Sequence, residues 1–175
     1  MENLLTTPDT ILTSAIEVGI GVIGFGGVVI ALLKAKSEYF GVLLSTLIVG
    51  SIALIVFSTL PLLFDQASIG SSTNWRISSA LMSAYVILVT AYRIHQGATF
   101  DQFGDSPAAS DFMIGTKLYT VVFLAHPVFL LLQIVNVFYL GLAWPYLAHI
   151  VYYMVFTLCT LSALLWTVWA ETKDT

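Results

Sequence analysis

Residues 11–36 read ILTSAIEVGIGVIGFGGVVIALLKAK, an apolar run whose only charge before the closing Lys34 and Lys36 is Glu17. A bilayer's hydrocarbon core is roughly 30 Å thick and a helix rises about 1.5 Å per residue, so about 20 such residues cross it. Residues 11–33 meet that length. The two lysines after the run stop it, and no basic residue precedes it. A cleaved secretory leader has the reverse order, a positive segment followed by the apolar one, so none is expected.

Four further apolar stretches follow, at residues 40–64, 77–94, 118–139 and 146–169. The chain is 175 residues long, 58% hydrophobic and only 9% charged, with a mean hydropathy of +0.94. Five spans with short connections use nearly all of it, leaving no room for a separate soluble domain. In hydrocarbon every backbone polar group must be satisfied internally, and helices do that. The expectation is one transmembrane domain over residues 1–175, an all-α bundle of five transmembrane helices. The third stretch is the weakest, diluted by Ser78, Ser79 and Ser83 and bounded by Arg76 and Arg93. Those arginines stand about 26 Å apart along a helix, and both can snorkel to the headgroups.

Lysine and arginine set the orientation. Lys34, Lys36, Arg93, Lys117 and Lys173 fall in one set of alternate connections, and Arg76 alone falls in the other. The positive-inside rule then puts the N-terminus outside and the C-terminus in the cytoplasm, with residues 95–117 as the cytoplasmic loop. Net charge is −4 and no basic run exists, so nucleic acid is excluded as a partner; the bilayer is the expected one. The three aspartates of the 95–117 loop lack calcium-loop spacing. The single cysteine, Cys159, lies within the last span as a small apolar side chain.

Inside span one, Ser14, Glu17, Gly21, Gly24, Val28 and Ala31 recur at steps of three and four and share a helical face. Gly21, Gly24, Gly27 and Ala31 are read as helix-packing residues, because close approach drives association in lipid and glycine permits the closest. Gly19 and Gly26 lie roughly opposite. The GxGxxG at residues 19–24 is no dinucleotide loop, since it falls within an apolar run. Glu17 lies about 9 Å inside the outer end of the span. Two readings stand open: an intramembrane ionisable site, or a carboxylate facing interfacial water.

Span four carries His126, Gln133 and Asn136 on one face. Running inside to outside, it brings Gln133 and Asn136 to about 9 and 5 Å below the outer surface, the depth of Glu17. His149 and Tyr152 in span five, Ser58 in span two and Ser83 in span three reach similar levels. The prediction is a polar cluster in the outer leaflet, centred on Glu17 and made by Gln133, Asn136, His149, Tyr152, Ser58 and Ser83, with a mostly apolar inner half. Pro127 and Pro61 are expected to kink their spans. The span boundaries set His126 and His149 about 13 Å apart in depth, too far to share an iron. No Ser/His/Asp, paired-carboxylate or metal-ligand set appears, so no enzyme activity, metal or cofactor is expected.

Ala15-Ile16-Glu17 leading into Gly24-Phe25-Gly26-Gly27-Val28-Val29, with Leu60-Pro61-Leu62-Leu63, Asn74-Trp75-Arg76, Gln133 and Asn136, resembles a group of small multi-pass bacterial membrane proteins. Their first helix carries an acid before a GF-G-VV segment. The resemblance implies a bacterial cytoplasmic (inner) membrane and a compact bundle, and it implies no mechanism. Two functions are weighed: a non-catalytic subunit whose glycine faces bind another copy or another membrane protein, and a small proton or cation transporter using Glu17 in an outer vestibule. The first ranks higher, because five helices with few charges enclose no evident pathway.

Overall fold

A computed structural model of the protein describes residues 7–32, 38–95 and 125–173. The described residues form five helices and no strand: α1 (Pro8–Leu32), α2 (Glu38–Gln66), α3 (Ser71–His95), α4 (Ala125–Leu140) and α5 (Ala143–Lys173). Three are long and apolar enough to cross a membrane, over Pro8–Val28, Leu43–Gln66 and Ala143–Trp166. The Lys34/Lys36 turn, the 95–117 loop beyond His95 and residues 118–124 of the fourth predicted span lie outside the described residues.

Local chemistry explains the helix ends. Thr7 caps α1, its carbonyl and hydroxyl both accepting from the Thr10 amide. Pro8 follows at the first helical position, where a missing N–H costs nothing, and Asp9 complements the helix dipole. Helix α2 runs through Pro61 to Gln66. Proline has no N–H for the carbonyl four residues back, which is that of Phe57. The buried Tyr146 hydroxyl donates to that carbonyl. A proline in one helix is thus satisfied by a tyrosine from another.

The connections after α2 and α4 are both shorter than the sequence reading sets them. The predicted loop at 65–74 reduces to four residues, with Ser68 in the left-handed region (φ 59°) and α3 beginning at Ser71. The predicted turn at 141–145 reduces to Gly141 and Leu142. Pro145 belongs to the first turn of α5, where proline is tolerated. The last five residues of α4, Asn136–Leu140, wind as a π-helix, and Gly141 closes it at φ 63° by donating its amide to the Asn136 carbonyl.

Helices α1, α2 and α5 pack mutually; α3 joins them against α2 and the π-turn of α4. Helix α1 meets its neighbours with Leu12, Ala15, Gly19, Val22 and Gly26, all buried and spaced by three and four. A side chain at Gly19 would run into Ile55 Cγ1 at 2.6 Å and the Ser51 carbonyl at 3.1 Å, so that glycine sets how near α2 comes.

Candidate functional site

The register of the α4–α5 hairpin decides which polar groups meet. Gln133 Nε2 donates to the Pro145 carbonyl at 2.7 Å, and His126 Nδ1 lies 3.0 Å from the Tyr152 hydroxyl. Phe129 stacks on both His149 and Tyr152. Residue pairs equidistant from about position 139 are therefore neighbours. The expected 13 Å offset between His126 and His149 is corrected to adjacency: their rings sit edge to face with centroids 6.0 Å apart. About 4.5 Å of the error came from treating Trp144 and Pro145 as loop. With α5 starting at Ala143, His149 lies about two turns down its helix and comes level with Phe129.

At the outer end, Asn136 fastens the turn. Its Nδ2 donates to Ser79 Oγ at 2.8 Å and to the Leu142 carbonyl at 3.0 Å, while its Oδ1 accepts from the Leu142 amide at 2.9 Å. Arg76 donates to the carbonyls of Val137 at 2.7 Å and Tyr139 at 3.4 Å. A cation there serves the orphan carbonyls of a helix C-terminus. Asn74, buried, donates to the Pro61 carbonyl and accepts from Ser78. Sequence reasoning used Arg76 and Asn74 as boundary, charge and resemblance markers and gave neither a bonding role. Their signal was position: an asparagine and an arginine two apart on the first turns of a span, at the level where the next hairpin ends.

Of the predicted cluster, Gln133, Asn136, His149 and Tyr152 do gather along the hairpin, joined by His126. Ser58 is fully buried one residue past Phe57, with no hydrogen-bond partner among the described residues. Ser83 donates to the Ser79 carbonyl of its own helix and takes no part. Glu17 is not brought in. It is exposed on α1, and none of the hydrogen bonds of Gln133, Asn136 or His126 goes to it. The helix is rotated so that the Gly19/Gly26 face packs. Gly21, Gly24 and Gly27 are accordingly exposed, with nothing within 4 Å of a Cβ built on any of them. The side chain of Ala31 lies outside the described residues. Pro127 is exposed on α4, and the carbonyl it would free, that of Phe123, also lies outside them.

The interior below the cluster is less apolar than expected. Ser51, Thr157 and Thr160 are buried there, and Thr160 donates to the Phe156 carbonyl. An apolar groove of about 200 Å³ opens between α2 and α3, lined by Val49, Ile52, Ala53, Val56, Phe57 and Tyr85. No group of three or more His, Cys, Asp or Glu side chains suited to a metal ion occurs among the described residues. Comparison with protein-family models, with curated proteins and with solved structures finds no match.

Proposed function

We propose that the chain is a non-catalytic subunit of a membrane assembly, joined to its partner through the outer face of α1. In this reading all five helices span a bacterial cytoplasmic membrane, N-terminus out and C-terminus in, as charge distribution and the GF-G-VV resemblance imply.

One observation carries it: a face of a candidate span bearing Glu17, Gly21, Gly24 and Gly27 stands open. Only 28% of that span is buried, against 44% and 50% for those of α2 and α5. Small residues in a membrane helix favour close contact with another helix, and lipid chains gain nothing comparable from them. Glu17 sits nine residues into α1, about 13 Å along the axis. A carboxyl facing hydrocarbon at that depth is costly, and a polar contact relieves it. The occupant we propose is α1 of a second copy. The face is smooth enough to be self-complementary about a two-fold axis. Transport through an outer vestibule centred on Glu17 has lost its geometric support, since Glu17 and the buried polar groups face apart.

Cysteine crosslinking in native membranes tests this. Gly24→Cys has room for its side chain and should give a crosslinked dimer under mild oxidation; Leu88→Cys, exposed on α3, should not. A Gly24→Cys protein that stays monomeric while reacting freely with a lipid-phase thiol reagent would refute the proposal. A crosslink to a different protein would replace the second copy with that partner. A reporter fused after Thr175 should be active only as a cytoplasmic type, and external-type activity there would overturn the orientation.

A further inference from the structure

His149 is fully buried, and neither ring nitrogen has a hydrogen-bond partner among the described residues. A neutral imidazole always carries one donor and one acceptor. Buried polar groups are almost always paired, with protein or with ordered water. Phenylalanine or leucine would fill this space without that demand, so the ring's polarity calls for a partner that none of the described residues supplies.

The surroundings narrow what that is. Phe129 stacks on His149 at a centroid distance of 5.6 Å, and Tyr153 lies at 5.3 Å, which leaves no room for a flat cofactor. The ring of His126 meets His149 edge to face at 6.0 Å with no direct bond between them. Two hydrogen bonds of about 2.8 Å reach up to roughly 5.6 Å between nitrogens, so one water can span such a pair. His126 is itself held by the Tyr152 hydroxyl and is partly exposed, so it is the accessible end of the pair.

We propose that His149 and His126 form a buried proton-binding site, in which a water bridges the two rings and a single proton is shared between them. The ligand class is water and the proton it carries. Two imidazolium charges this close, in an apolar shell, repel and are poorly solvated, so the pair takes one proton and not two. The other titratable groups around it are Tyr152 and Tyr153 on α5, with Tyr85 of α3 within electrostatic range of Tyr153. Helix α2 presents Phe57 and the uncharged Ser51 and Ser58 to the core, and Glu17 of α1 points away. No carboxylate or fixed cation among the described residues therefore sets the charge of the pair. The site is independent of the α1 interface and holds in a monomer as in a dimer.

The test is nitrogen NMR on full-length protein, labelled at histidine and reconstituted in bilayers. Ring N–H signals of both residues should exchange with deuterated solvent within minutes. Lowering the pH from about 8 to about 3 should convert one ring per chain, and not two, to the cationic form. In His126→Phe, the His149 signals should lose their coupling and titrate at a different midpoint. Both rings staying neutral down to about pH 3, with His149 protected from deuterium for days, would overturn the proposal and leave a dry packing residue. Two rings titrating independently to two charges would overturn the shared proton. The wild-type measurement decides even if His126→Phe does not fold.

Discussion

The α4–α5 hairpin and helix α1 both carry polar residues and treat them oppositely. Along the hairpin, Asn136, Gln133 and His126 each reach a partner across a helix boundary, and Arg76 from α3 covers the free carbonyls of the π-turn. On α1, Glu17 is exposed and three glycines have open space beside them among the described residues. A polar group inside a bundle is held by geometry, and removing its partner strands it. A polar group on the bundle's rim leaves the fold indifferent and weighs only on what the helix meets next. The two regions should therefore respond very differently to substitution.

The sharpest contrast is between glycines. Gly141→Val should be the most damaging single change, costing roughly 3 kcal/mol or more, because it forces a β-branched residue to positive φ. Its Cβ would also collide with Ser72 Oγ and with Arg76 Nε at 2.7 Å. Gly24→Ala, in open space, should change bundle stability by no more than about 0.5 kcal/mol. Comparable unfolding midpoints for the two in detergent would break the contrast.

Asn136→Ala comes next, at about 2 kcal/mol, since it leaves the Leu142 amide and carbonyl and Ser79 to find other partners at the turn. Tyr146→Phe isolates one consequence of Pro61. It strands the Phe57 carbonyl in the core and should cost about 1–2 kcal/mol; in a Pro61→Ala background, where the helix supplies its own N–H, the same change should cost less. Equal costs in both backgrounds would show that the tyrosine does not serve the proline.

How far these features were legible follows from their physics. The three strongest spans were plain from composition, because length and apolarity alone decide whether a helix can cross a bilayer. The shared face of Gln133 and Asn136 was also visible, since helical periodicity fixes it. Rotation of α1 was not. Both of its faces carry glycines at helical spacing, and the choice between them depends on Ile55 and the Ser51 carbonyl of α2, which no pattern within α1 reveals. Hairpin register was hidden for a different reason. Gly141, Trp144 and Pro145 all read as loop residues, yet proline in a first turn is helical, and starting the helix three residues earlier moves His149 by nearly a turn relative to His126.

The smallest effect on the fold is expected at the residue that first drew notice. Glu17→Gln should shift bundle stability by no more than about 0.5 kcal/mol, because Glu17 has no part in the hydrogen bonds of the core. Glu17→Leu should leave the monomer equally sound and weaken association. A large loss of monomer stability in either variant would return Glu17 to the bundle interior.

The account turns on whether the outer face of α1 is covered in a membrane. Spin labels at Gly24, and at the exposed Leu88 as the reference, would be compared in native-like bilayers for collision with dissolved oxygen and for dipolar coupling between chains. The prediction is low oxygen access at position 24 with strong coupling to the same position on a second copy, and high access with no coupling at position 88. Equal, high oxygen access at both positions with no coupling at either would contradict it.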